Sequence, residues 1–148
     1  MPLLWFTGPS DAHFPLAAQQ LSYRAASGAR MISVPLEMKH GHPPGWNPPD
    51  SYAFAQAVVA TGRPWAREIK AEIIDGVARV EFATARITKS ATLIFKRDAT
   101  WEKAPATLAT APGHVTASAP VPAGSSAYYF NLDADGPTLS SEFRTITP

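Results

Sequence analysis

The spacing of apolar residues changes once along this 148-residue chain, close to residue 65. Before that point, short apolar runs alternate with segments whose apolar residues recur at helical spacing. After it, apolar and polar residues alternate one by one, as in Ile69–Ile73. The first pattern predicts strands connected by helices, whereas the second predicts antiparallel strands with one buried face. Gly62–Trp65 is the natural boundary, so we predict two domains, residues 1–64 and residues 65–148.

The first part is predicted to be a β-α-β-α unit, in which a crossover helix joins two parallel strands. Leu3–Phe6 and Met31–Leu36 are apolar runs of the length of a strand. The residues between these runs carry apolar side chains at helical spacing, and Gly28 should end that helix. Asn47–Pro48 is a typical start for a second helix, which should end at Gly62.

The second part is predicted to be an immunoglobulin-like β-sandwich. About seven short strand candidates follow one another within about 80 residues, and turn signals separate them. Asp135–Gly136, between two alternating segments, is the clearest hairpin signal. The predicted fold class is therefore mixed α/β plus all-β, with a partial α/β unit followed by a β-sandwich.

The composition argues against several classes of function. The formal net charge is +1 and no run of basic residues stands out, so neither a nucleic acid nor a membrane is an expected partner. The chain has no cysteine, which excludes disulfides, a thiolate nucleophile and sulfur-ligated zinc. No apolar run is long enough to span a bilayer. Met1–Phe6 lacks both a basic segment and a cleavage site, so we expect a buried strand there rather than a signal peptide.

Two of the four histidines, His40 and His42, lie within three residues of each other, where the second strand runs out into a loop. Asp11 follows the first strand in the same way. Because the carboxyl ends of parallel strands open on the same edge of a sheet, we expect Asp11 to lie near these histidines. An aspartate and a histidine in this arrangement are typical of the orienting acid and the general base of a nucleophilic triad.

Two other interpretations stay open. Asp11 with His13, and His40 with His42, form Asp-x-His and His-x-His pairs that suit zinc or another metal preferring imidazole. His13 is also typical of a surface or capping residue. Aromatic side chains offer faces on which sugars stack, although packing in the core is their commoner use. The four candidates for a carbohydrate surface are Trp46, Trp65, Tyr128 and Tyr129.

Several segments resemble the C-terminal part of an α/β-hydrolase, with the acetyl-xylan-esterase-like and dienelactone-hydrolase-like proteins as the nearest subgroup. In the first part these are Trp5–Leu16, Ser22–Arg24 and Met38–His42. In the second part Trp101, Ala127–Leu132 and Ser140–Phe143 are similar to the β-sandwich tail of some such proteins. The resemblance makes the first part an α/β-hydrolase-like unit. It implies Asp11 as the triad acid and His40 as the base, with His42 as the fallback base.

The same resemblance implies a Gly-x-Ser-x-Gly nucleophile elbow before the acid, and this sequence contains none. We therefore predict a C-terminal fragment of a serine esterase that retains the triad acid and base and does not hydrolyse esters by itself. A small-molecule or carbohydrate ester is the expected substrate of the full-length relative, and no cofactor or metal is assigned. The alternatives are a non-catalytic carbohydrate- or protein-binding β-sandwich module, and a metal-binding protein.

The predicted two-stranded parallel sheet raises a question of stability. Such a sheet leaves both of its edges open, and exposed edges pair readily with other chains. We therefore expect a homo-oligomer that associates through an exposed sheet edge.

Overall fold

The computed structural model describes residues 1–146, apart from the side chains of residues 42 and 44. In chain order the elements are β1 (Leu3–Phe6), α1 (Leu16–Ala25), β2 (Arg30–Ser33), α2 (His42–Trp46), α3 (Pro49–Thr61), β3 (Ala66–Ile74), β4 (Val77–Thr84), β5 (Ser90–Arg97), β6 (Thr100–Ala111), β7 (His114–Pro120), β8 (Ser125–Asp133), β9 (Thr138–Ser140) and β10 (Arg144–Thr145). None of the helices in this described part is long and apolar enough to cross a membrane.

The first part contains two strands and the helices that follow them. β1 and β2 pair in parallel, with Leu3 opposite Arg30 and Phe6 opposite Ser33, and α1 connects them. α3 ends at Gly62, which has a φ of 72° and donates its backbone N–H to an earlier carbonyl of the helix. This left-handed conformation is the usual way for a glycine to end a helix. The two strands and the two longer helices overlap the predicted segments, but β2 ends at Ser33 instead of Leu36 and α1 already ends at Ala25. α2 is an additional short helix.

The second part is one curled antiparallel sheet. Its strand order is β10-β8-β5-β6-β7-β4-β3. β9 pairs with the C-terminal end of β8, beyond the residues that pair with β10. β6 keeps the sheet continuous, because residues 100–106 pair with β5 and residues 107–111 pair with β7. The sheet therefore has two halves that are joined through a single long strand.

The main core lies between these two halves. Val80, Phe82 and Val115 come from the half with β4 and β7, and Leu93 and Phe130 come from the half with β5 and β8. All five side chains are almost completely buried. Each large apolar side chain removed from water stabilises the fold by about 1.5–3 kcal/mol. The alternation of apolar and polar residues in the sequence reflects this one-sided burial.

β8 is covered on both faces. Tyr128 and Phe130 point into the main core, whereas Tyr129 packs against Ile32 and Val34 in a second cluster. The Tyr129 hydroxyl donates a hydrogen bond to the Val34 carbonyl over 3.1 Å, and the Val34 N–H donates to Ser140 Oγ over 2.7 Å. The first part of the chain is thus fixed against the outer face of the sheet. The division into two domains at residue 65 stays a prediction.

The predicted fold class is wrong. Strands hold 46% and helices 18% of the chain, so the protein is mostly β rather than mixed α/β plus all-β. The immunoglobulin-like sandwich is replaced by one curled sheet, because β6 is shared between the halves that a sandwich would separate. The α/β unit consists of a single parallel strand pair with its helices, which does not make a hydrolase-like sheet.

Candidate functional site

A cleft of about 480 Å³ opens at the carboxyl ends of β1 and β2. Its walls are the loops that follow the two strands, together with one side of α1. The side chains that give it its chemical character are Thr7, Asp11, Phe14, Gln19, Lys39 and His40. It is the kind of strand-end crevice in which ligands bind in sheets with parallel strands.

Gly8 allows the two loops to meet at this cleft. A Cβ atom at Gly8 would lie 1.9 Å from the carbonyl oxygen of Met38, which is far inside the van der Waals distance. The loop after β1 and the loop after β2 are therefore in backbone contact. Only a residue without a side chain fits at this position.

Asp11 and His40 form a hydrogen-bonded pair in the cleft. His40 Nδ1 lies 2.9 Å from Asp11 Oδ2, and the imidazole donates because an ionised carboxylate only accepts. Asp11 Oδ1 accepts the backbone N–H groups of His13, over 2.8 Å, and of Phe14, over 3.1 Å. The hydrogen bond with His40 holds the pKa of Asp11 below its ordinary value, against the opposing effect of desolvation. The carboxylate is thus ionised and fixed in orientation.

Three aromatic rings lie together at the mouth of the cleft. The rings of His13 and His40 are stacked, with centroids 4.5 Å apart and planes inclined by 28°. The ring of Phe14 is tilted against His40, with centroids 5.9 Å apart. His13 Nδ1 also lies 4.0 Å from Asp11 Oδ1. The mouth therefore combines flat ring faces with a carboxylate and two imidazoles.

The structure brings Asp11 and His40 together, as the two strand exits predict. The side chain of His42 lies outside the described part of the chain. The catalytic roles expected for Asp11, His40 and His42 stay predictions, since contact between an acid and a base is not evidence of turnover. His13, expected to be a surface or capping residue, is exposed and also lies beside Asp11 and His40.

The carbohydrate surface proposed from four aromatic residues is not present in that form. Trp65, Tyr128 and Tyr129 are buried in the core, and only Trp46 is largely exposed. Their commoner use, core packing, is the correct interpretation for the three buried residues. Sequence reasoning missed Phe14 and Lys39, which are exposed and line the cleft. Their position in the same loops as Asp11 and His40, directly after β1 and β2, is the signal from which they could have been predicted.

Comparisons with known proteins give a limited result. No family model and no curated protein matches this chain. A β-1,3-glucan-binding domain of carbohydrate-binding module family 56 matches with 12% identity and a TM-score of 0.35, covering 55% of this chain and 98% of that one. A bromine derivative of BhCBM56 matches with 16% identity and a TM-score of 0.33, covering 56% of this chain and 89% of that one.

A third solved structure is a laminaripentaose-producing β-1,3-glucanase of glycoside hydrolase family 64 from Paenibacillus barengoltzii, complexed with laminarihexaose. It matches with 11% identity and a TM-score of 0.36 over 55% of this chain and 20% of the glucanase. The present chain thus spans about a fifth of that enzyme. TM-scores of this size assign neither a ligand nor an activity to the chain.

The resemblance to α/β-hydrolases is wrong, and with it the prediction of a serine-esterase fragment. No family model of that fold matches. The described chain is mostly antiparallel β, and its single parallel strand pair, β1 and β2, is not part of a larger parallel sheet. The short segments that carried the resemblance belong to strands, loops and helix α1 of a different architecture, so they do not indicate an esterase.

Proposed function

We propose that this protein is a non-catalytic carbohydrate-binding module whose ligand occupies the cleft at the ends of β1 and β2. The observation that carries the proposal is an exposed aromatic ring, Phe14, beside the ionisable groups of Asp11, Lys39 and His40 in one open cleft. A sugar ring presents both C–H faces and hydroxyl groups, so it needs this combination of partners.

The aromatic part of the site would bind the C–H face of a sugar. Phe14 is 58% exposed, so one face of its ring is open to a ligand. Its apolar ring lies against the flat ring of His40 at the mouth of the cleft. Covering such a surface removes apolar area from water and adds dispersion contacts, both of which favour binding.

The polar part would bind the hydroxyl groups. The Asp11 carboxylate accepts hydrogen bonds, Lys39 donates them, and His40 has one nitrogen beyond the one that contacts Asp11. Two backbone N–H groups hold Asp11 in place, so little side-chain freedom is lost when a ligand binds. The cleft volume of about 480 Å³ lies within the range of ligand clefts, about 300–1,000 Å³.

The test is binding of soluble polysaccharides, measured by affinity electrophoresis and by calorimetry. The panel contains β-1,3-glucan, the polymer named for the glucan-binding neighbours, together with a β-1,4-glucan and a xylan. We expect at least one of them to bind, and Phe14→Ala to weaken that binding by about tenfold or more, which corresponds to about 1.4 kcal/mol. Lys39→Ala should also weaken binding, since a hydroxyl then loses its donor.

Tyr52→Ala is the matched control, because Tyr52 on α3 is 56% exposed and does not line the cleft. This variant should bind as the unchanged protein does. Absence of binding to all three polymers would overturn the proposal. An equal loss of polysaccharide affinity in Phe14→Ala and Tyr52→Ala would show that binding does not depend on the cleft. That result would overturn the proposal as well.

A further inference from the structure

We infer that Asp11, His13 and His40 form a binding site for a divalent transition-metal ion. One ligand atom from each of these residues lies within 4.8 Å of the other two. The inference goes beyond the proposed function and does not depend on it, because a metal site at the mouth of the cleft requires no carbohydrate.

The distances are close to those that a metal ion requires. Asp11 Oδ2 lies 2.9 Å from His40 Nδ1, and Asp11 Oδ1 lies 4.0 Å from His13 Nδ1. Bonds of about 2.0–2.2 Å at tetrahedral angles place ligand atoms about 3.3–3.6 Å apart. The three ligand atoms lie within 4.8 Å of one another, so side-chain rotations of up to about 1.5 Å would give a three-ligand site. A metal ion would take the place of the Nδ1 proton of His40, and that proton would move to Nε2.

The carboxylate is held as a metal ligand usually is. The Asp11 side chain is only 8% exposed, and the N–H groups of His13 and Phe14 fix its orientation. Outer-shell hydrogen bonds of this kind orient ligands and raise metal affinity. The His13 and His40 side chains are 72% and 48% exposed, so they can turn toward an ion without disturbing the core. The solvent side remains open for water or for a ligand.

The donor set selects the class of metal. Two imidazoles and one carboxylate suit zinc, cobalt, nickel, copper or ferrous iron, whereas calcium and magnesium prefer sites made of oxygen ligands. The chain offers a second histidine–carboxylate pair for comparison. His114 Nδ1 lies 3.1 Å from Glu81 Oε1 on neighbouring strands, and this pair is not part of a three-ligand cluster in the described residues.

The test is titration of untagged, chelator-treated protein with Co²⁺, followed by its visible absorption, and then with Zn²⁺ in competition and by calorimetry. We expect one equivalent to bind per chain, and Zn²⁺ to displace Co²⁺. His13→Ala and Asp11→Asn should each weaken the affinity by at least about tenfold. His114→Ala, which removes a histidine from the simple pair, should bind as the unchanged protein does.

Circular dichroism checks that each variant is folded, and His13→Ala tests the site even if Asp11→Asn does not fold, because His13 is exposed. Absence of Co²⁺ and Zn²⁺ binding at 100 µM, as an order-of-magnitude ceiling for a specific site, would overturn the inference. Unchanged affinity in His13→Ala, or equal loss in His114→Ala, would also overturn it. Polysaccharide binding of the chelator-treated protein is measured separately, so failure of one proposal is distinguishable from failure of the other.

Discussion

At the scale of single residues, the site depends on a contact between backbones as much as on its ionisable groups. Gly8 lets the loop after β1 touch the loop after β2, and these loops carry Asp11 and His40. The proximity of Asp11 and His40 could be predicted from sequence, because both follow parallel strands. The stacking of His13 on His40 could not, because it depends on loop conformations that leave no periodic pattern in the sequence.

Gly8→Ala should destabilise the protein and widen the cleft. The added Cβ would meet the carbonyl of Met38 at 1.9 Å, so the two loops must separate. Forcing extra volume into a packed contact costs about 1–3 kcal/mol. We expect the urea midpoint to fall accordingly. Gly45→Ala is the control, because a Cβ at Gly45 meets nothing within 4 Å; equal stability losses in both variants would contradict this explanation.

At the scale of elements, β6 is the strand that sequence reasoning did not find. The apolar alternation is weak in its alanine- and threonine-rich sequence, and Pro105 argues against a strand inside a sheet. In the structure, residues 100–106 pair with β5 and residues 107–111 with β7, so each half of β6 forms one ladder. Proline is tolerated where one side of a strand is unpaired. The spacing of the other strands predicts two separate sheets, whereas β6 joins them into one curled sheet.

Glu142 connects three elements through two arginines. Arg24 of α1 donates to Glu142 Oε2 over 2.7 Å, and Arg30 of β2 donates to Oε1 over 2.6 Å. Burial acts to raise the pKa of Glu142, but the hydrogen bonds from Arg30 and Arg24 outweigh it, and the pKa is lower than that of a free glutamate. The first part of the chain is thereby linked to the segment after β9.

This lowered pKa predicts a loss of stability in acid. A carboxyl group whose pKa is lower in the folded state stabilises the fold above its unfolded pKa, about 4.3 for glutamate. That contribution disappears as the pH falls through the lower, folded pKa. Glu142→Gln should therefore cost roughly 1.5–3 kcal/mol at pH 7, the value of a hydrogen bond to a charged group.

The measurement is urea unfolding of both proteins at pH 7 and at a pH below both pKa values. The difference in free energy of unfolding between the unchanged protein and Glu142→Gln should shrink in acid. At that pH the Glu142 carboxyl is protonated and therefore uncharged, like the glutamine. A difference that is the same at both pH values would show that the charge of Glu142 does not stabilise the fold.

At the scale of the whole molecule, the first part of the chain and the curled sheet pack against each other and share a buried cluster. The predicted homo-oligomer was expected because a two-stranded parallel sheet cannot stand alone. In the structure that sheet packs on β8 through the cluster of Tyr129, Ile32 and Val34. This packing covers a face of the small sheet, whereas neither of its edges pairs with a further strand in the described part of the chain. Self-association therefore stays a prediction.

A fragment of residues 65–148 tests how much the stability of the second part depends on the first part. It keeps most of the main core but loses Met31 and Ala53 from it, and it uncovers Ile94 and Tyr129 on the outer face of the sheet. Each uncovered large side chain should reduce stability by about 1.5–3 kcal/mol. We expect a lower melting temperature than that of the full chain, and binding of a hydrophobic dye. A fragment as stable as the full chain, with no dye binding, would contradict the structural dependence argued for β8.

The bond between Val34 and Ser140 joins residues that are 106 positions apart, and it has a consequence for the order in which the protein is made. A ribosome delivers β1, α1 and β2 before β8 and β9, the strands that cover them. During that interval the apolar side chains of β2 have no partner. Contacts of such long sequence separation slow folding, and exposed apolar segments of this kind are prone to aggregation. Synthesis of this chain therefore passes through a stage in which a molecular chaperone would be useful.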